Sequence, residues 1–113
     1  MIDRISVRKL SDSGRLKAVA TIVIDGVIAI HDIKILEDID NGYFLAMPSK
    51  RLKEKFVDIA HPISKEARAI LENIIFRCVE DLYNEEESHI SYQCIKTDIH
   101  YLEQKYEDFQ RVE

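Results

Sequence analysis

The stretch Leu16-Lys17-Ala18-Val19-Ala20-Thr21-Ile22-Val23-Ile24-Asp25-Gly26-Val27-Ile28 decides the fold class. Leu16, Ala18, Ala20, Ile22 and Ile24 fall on one side of an extended chain. Lys17, Val19, Thr21 and Val23 fall on the other, the period of two that a strand imposes. Asp25-Gly26 then stands between two β-branched runs. A tight hairpin turn needs positive φ at both central positions, which this dipeptide tolerates. A strand from Val27 to about Leu36 is therefore expected to run antiparallel to the first.

Upstream, Ile5 and Val7 alternate with polar neighbours, and Ser11-Asp12-Ser13-Gly14 is a turn cluster in which Gly14 is free to take positive φ. Downstream, Asp38 to Gly42 is the next turn, and Tyr43-Phe44-Leu45-Ala46-Met47 is a strand stopped by Pro48. A short fifth strand is expected around Phe56 to Ile59. Sequential strands joined by tight turns make an antiparallel meander.

After His61-Pro62 the apolar period changes to 3.6. Ser64 is an N-cap, Glu66 suits the positive helix end, and Ala67, Ile70, Leu71, Ile74, Ile75, Cys78, Val79 and Leu82 form one stripe. The spacing predicts a helix over 64–83 that covers the apolar face of the sheet. Residues 84–91, with Glu85-Glu86-Glu87, read as a solvated break. Tyr92, Ile95, Ile99, Leu102, Tyr106 and Phe109 then recur at intervals of three and four, which predicts a second helix near 91–111. That helix packs on its own domain or on a dimer mate. The fold class is thus α+β: an antiparallel β-meander of four to five strands, one long helix on one face, and a C-terminal helix. Residues 1–83 form the domain and 84–113 an acidic helical extension.

At 113 residues the chain has room for one core, and 46% hydrophobic with 33% charged residues marks it as folded rather than disordered. No apolar run is long enough to cross a bilayer, so no membrane partner is expected. Met1-Ile2-Asp3-Arg4 has no basic n-region followed by a long apolar stretch, so no signal peptide is expected. Cys78 and Cys94 form no CxxC pair and read as reduced thiols in a cytoplasm. The net charge of −5 argues against a polyanion partner until its distribution is considered. Residues 1–62 hold ten Lys/Arg against nine Asp/Glu, whereas 63–113 hold six against twelve. The acidity belongs to the C-terminal half, and the N-terminal half is free to present a basic face.

Catalytic and metal chemistry find little support. His31-Asp32 lies within a strand, so its side chains are expected on opposite sheet faces. His61, three residues after Asp58, forms either a carboxylate–imidazole pair or, the commoner arrangement, a hydrogen-bonded hinge into the helix. His89 and His100 are eleven residues apart, about three helical turns and too far for one metal. There is no Gly-rich phosphate loop, no GxSxG elbow and no Cys/His dyad. Neither an enzyme nor a cofactor nor a small-molecule substrate is expected.

Lys50, Arg51, Lys53 and Lys55 cluster directly after the strand that Pro48 ends. Such a loop meets phosphate oxygens well, Lys as a point charge and Arg as a planar fork. By charge alone, an ordinary solvated loop is the commoner outcome. The order of motifs adds to this. Ala46-Met47-Pro48-Ser49-Lys50-Arg51, followed by Asp58-Ile59-Ala60-His61-Pro62-Ile63, resembles the signature of the SpoVG family (stage V sporulation protein G, also called septation regulator). The resemblance begins at Ile5 to Arg8, runs through Gly14-Arg15-Leu16-Lys17-Ala18 and His31-Asp32-Ile33-Lys34-Ile35, and covers about residues 3–83.

The resemblance implies a homodimeric α+β domain that binds DNA, and in some members RNA, as a bacterial regulator of gene expression, septation or sporulation. By position it nominates Lys50 and Arg51 first as nucleic-acid contacts, then Lys34, then Arg68 on the first turns of the helix. His61 and Pro62 carry over as a structural hinge. Two features depart from the family pattern. Leu52-Lys53-Glu54-Lys55 lacks the family's Gly-containing turn, and residues 88–113 continue past the usual core. The acidic tail either packs on the dimer or competes with nucleic acid for the basic face. A protein-interaction adaptor acting through the acidic C-terminal helix is the alternative function.

Overall fold

The computed structural model describes residues 1–10 and 14–112. Four strands run up and down from the N-terminus: β1 (Ile2–Arg8), β2 (Leu16–Ile24), β3 (Ile28–Asp38) and β4 (Gly42–Ala46). Each pairs antiparallel with the next, as the turn chemistry predicts. At the β2–β3 turn Asp25 has φ 53° and Gly26 φ 66°, and the Val27 N–H donates to the Ile24 carbonyl at 3.0 Å. Ser11, Asp12 and Ser13 of the expected β1–β2 turn lie outside the described residues.

The meander is less regular than its sequence suggests. Between Ala20 and Ile22, β2 sets one residue, Thr21, against two of β3, His31 and Asp32. This bulge is made possible by Asp32 at φ 61°, a conformation Asp tolerates better than most residues. Ile30 packs against the core and Ile33 is buried within it, while His31 and Asp32 are both exposed. The expectation that His31 and Asp32 project to opposite faces is thereby corrected. A second slip pairs Leu16 with Leu36, taking Leu16 off the face of Ala18, Ala20 and Ile22, while Lys17 meets Glu37 at 3.2 Å.

The helix forms as expected: α1 spans Lys65–Asn84, and the Ala67 N–H donates to the N-cap Ser64 Oγ at 3.0 Å. Leu71, Ile74, Ile75, Cys78, Val79 and Leu82 are buried against Ile5, Val7, Ala20, Ile22, Ile33 and Ile35. Each large aliphatic side chain removed from water in this layer contributes about 1.5–3 kcal/mol.

The short strand expected around Phe56 to Ile59 forms as β6 (Lys55–Asp58), but the basic segment ahead of it is a strand and not a loop: β5 (Ser49–Leu52) pairs with β6 in a separate two-stranded sheet, a protruding hairpin. The C-terminal helix expected near 91–111 does not form. In its place β7 (His89–Cys94) pairs with β1, and β8 (Phe109–Val112) pairs with β7, so the main sheet runs β4-β3-β2-β1-β7-β8. The cause is tertiary. Without β7, β1 would present a bare row of backbone donors and acceptors beside a core that still needs covering. Ile90 and Tyr92 are buried and Cys94 half-buried, a period of two that the helical spacing masked. Ile95 and Leu102, which the helix would bury, are 60% and 47% exposed.

Short 3-10 turns at Tyr101–Glu103 and Tyr106–Asp108 connect β7 to β8 and rest on α1. The Tyr101 hydroxyl donates to the Ala67 carbonyl at 2.8 Å, and the Tyr92 hydroxyl donates to Asp81 at 2.7 Å. Tyr106 also donates to Asp81. Residues 84–112 therefore join the same sheet and core as the first half.

Candidate nucleic-acid interface

Because Ile5 and Val7 point into the core, Arg4, Ser6 and Arg8 face away from α1. The same alternation turns Lys34 outward between buried Ile33 and Ile35. Register then aligns them: Arg8 lies opposite Val19, Val19 opposite Lys34, and Lys34 opposite Ala46. One strand separates Arg8 from Lys34, about 10 Å at ordinary strand spacing. Arg4 sits further along β1, opposite Val23 and Gln93. His31 shares the face with its Nδ1 3.2 Å from Thr21 Oγ1, and His89 lies opposite Arg8.

Three carboxylates near this open face are engaged elsewhere, whereas Asp32 stands exposed beside Lys34. Glu37 pairs with Lys17, Asp25 with the N-terminal amine, and Asp3 accepts from the Gly26 N–H. Arg4, Arg8 and Lys34 are exposed and make no ion pair among the described residues. An open cleft of about 440 Å³, lined by Asp32, Lys34, Ala46, Met47, Pro48, Ser49 and Ile59, leads from Lys34 to the base of the β5–β6 hairpin. The Ile59 N–H donates to the Pro48 carbonyl at 2.7 Å and fixes that base.

In the hairpin Ser49 pairs with Asp58, Lys50 with Val57, Arg51 with Phe56, and Leu52 with Lys55. Paired residues share a face and successive pairs alternate. Lys50 thus lies with Leu52, Lys55 and Val57, and Arg51 with Ser49, Phe56 and Asp58. The two residues nominated together from sequence point in opposite directions. Arg51 Nε donates to the Lys53 carbonyl at 3.1 Å, and Lys53 turns the chain at φ 58°.

Arg68 is committed to the fold. Its Nη2 donates to the Leu45 carbonyl at 2.7 Å, and its Nε lies 3.7 Å from Glu72. It ties the start of α1 to β4, just ahead of the Met47-Pro48 exit. His61 is the expected hinge, its Nδ1 2.8 Å from the Pro62 carbonyl oxygen. Sequence reasoning missed Arg4 and Arg8, although Arg4-Ile5-Ser6-Val7-Arg8 carries their alternation openly.

Among the described residues, no three His, Cys, Asp or Glu side chains are grouped to hold a metal ion, and no helix is long and apolar enough to cross a membrane. The SpoVG family model matches residues 1–81, that is β1 through most of α1. The chain belongs to the SpoVG family. Proteins named "Putative septation protein SpoVG" are similar to it along nearly their whole length. That of Thermoanaerobacter sp. (strain X514) is 40% identical over 89 residues, covering 78% of this chain and 96% of the relative. That of Clostridioides difficile (strain 630) is 41% identical over 81 residues, 71% of this chain and 87% of the relative. The protein of Caldanaerobacter subterraneus subsp. tengcongensis is 47% identical over 75 residues, 66% and 81% respectively. In this SpoVG chain β7 and β8 lie beyond the residues that the family model matches.

Proposed function

We propose that this SpoVG-family chain is a cytoplasmic, non-enzymatic regulator that binds nucleic acid, DNA and RNA alike, in the control of septation and gene expression. The link to septation comes from the name its relatives bear. The observation that carries nucleic-acid binding is the open sheet face on which Arg4, Arg8 and Lys34 stand exposed without ion-pair partners among the described residues. Phosphate contacts need this arrangement, because binding strength comes from cations whose counterions the polyanion displaces. Lys50 and Arg51 extend the surface beyond the cleft, each on its own side of the hairpin. Arg68 contributes by holding β4 in place.

The protein acts as a homodimer in this reading. Support comes from the unpaired outer edge of β4 and from Leu52, Val57 and Ile59, which are 48%, 38% and 66% exposed. An adaptor working through a C-terminal helix loses its premise, since that segment is two strands.

The deciding experiment titrates the parent and the Arg8→Ala/Lys34→Ala variant against a DNA duplex and an RNA strand at several salt concentrations. Each lost phosphate contact lowers the salt slope by about 0.7–0.9, so a drop of about 1.4–1.8 is expected. A folded variant with the parent's affinity and slope removes this face from the function.

A further inference from the structure

Phe56 is 73% exposed, yet it stands in the most cationic part of the chain. Its cross-strand partner is Arg51, and the two share a hairpin face with Ser49 and Asp58. The aliphatic residues Leu52 and Val57 belong to the opposite face. An aromatic anchor for a protein partner is ordinarily ringed by apolar contacts that exclude water. Phe56 has instead a guanidinium beside it and three lysines within the same hairpin, against two carboxylates, Glu54 in the turn and Asp58 at the base. Arg51 is steadied by its Nε bond to the Lys53 carbonyl, which leaves both terminal nitrogens of the fork without a hydrogen bond among the described residues.

Resting on the nucleic-acid reading above, we propose that Phe56 and Arg51 form a stacking platform for an unpaired base of single-stranded DNA or RNA. A ring and a guanidinium plane, side by side and surrounded by cations, suit a π-faced ligand on a polyanionic backbone. A base inside a duplex has both faces covered by its neighbours and gains nothing from the ring. The platform therefore confers a preference for single strands, while the sheet face and the lysines supply attraction common to both forms.

The test compares the parent with Phe56→Leu, Phe56→Trp and Arg51→Lys on a dT12 oligonucleotide and on the dT12·dA12 duplex. Solution mass is measured in parallel. Phe56→Leu keeps an apolar side chain at an exposed site, so the fold is expected to persist by circular dichroism. It should lose about tenfold in affinity for dT12 and stay within about twofold on the duplex. Phe56→Trp should hold or raise dT12 affinity, and Arg51→Lys should weaken dT12 without changing the salt slope. The platform is overturned by parent-like dT12 binding in Phe56→Leu, by equal losses on both probes, or by a change in solution mass that marks Phe56 as a protein contact. If the parent binds neither probe, it is the nucleic-acid reading that fails, and the platform with it.

Discussion

The Gln104 side chain acts as a strand neighbour for Ile2. Its Oε1 accepts from the Ile2 N–H at 2.9 Å and its Nε2 donates to the Ile2 carbonyl at 2.8 Å, with Gln104 only 2% exposed. The β1–β7 ladder begins at Arg4, so this amide continues the pairing of β1 past the point where β7 ends.

Gln104→Leu preserves much of the volume but leaves two buried backbone groups without partners. Each such group costs about 1–3 kcal/mol. We expect a loss of about 2–4 kcal/mol in urea unfolding followed by circular dichroism. A loss below about 0.5 kcal/mol would mean that water satisfies Ile2 equally well.

Alkaline pH should loosen the contact between the C-terminal segment and α1. Burial holds the Tyr101 phenol up at about 12, against an ordinary 10.0. Tyr106 is likewise pushed up to about 12, by burial first and then by the Asp81 carboxylate. Raised phenol values mean that the native state favours the neutral ring. The stability they contribute is complete below pH 10 and is lost as pH rises through about 12. The urea midpoint should therefore fall across that window. Tyr101→Phe should start lower by about 1 kcal/mol, having lost its bond to Ala67, and decline less steeply. Parallel declines in the two proteins would show that Tyr101 does not titrate with unfolding.

Lys53 takes φ 58° at the hairpin turn, a conformation that costs a non-glycine L-residue about 1–2 kcal/mol. Lys53→Gly relieves it, partly offset by the freedom glycine adds to the open state. A net gain of about 0.5–1 kcal/mol corresponds to roughly two- to fivefold slower amide exchange across β5 and β6. Faster exchange in the variant would locate the strain elsewhere.

What the sequence disclosed, and what it hid, divides along physical lines. Asp25-Gly26 and Ser64 declared the β2–β3 turn and the α1 cap because local chemistry alone determines both. The SpoVG motifs were legible as well, and the family model matches nearly the same stretch, residues 1–81. The bulge at His31-Asp32 left no trace, since an extra residue in a ladder changes register without changing composition. The β5–β6 hairpin was obscure because every residue in both strands is exposed, so burial imposes no alternation. Tyr92 and Phe109 fit a helical seam as well as a strand pair, and only the bare edge of β1, a long-range fact, decides between them. The same distinction governs the interface. Lys50 and Arg51 drew notice as neighbours in sequence, although the hairpin separates them, whereas Arg8 and Lys34 are brought onto one row only by the pairing of three strands.

The pairing of β1 with β7 also sets an order of events during synthesis. Ser6 and Ser91, 85 positions apart in the chain, meet hydroxyl to hydroxyl at 2.9 Å. At a ribosomal pace of about 5–20 residues per second, that interval is roughly 4–17 s. During it β1 can close onto β2 yet keeps its other flank bare. β1 is made well before the strand that completes it, and through that interval its bare flank is where one nascent chain can associate with another.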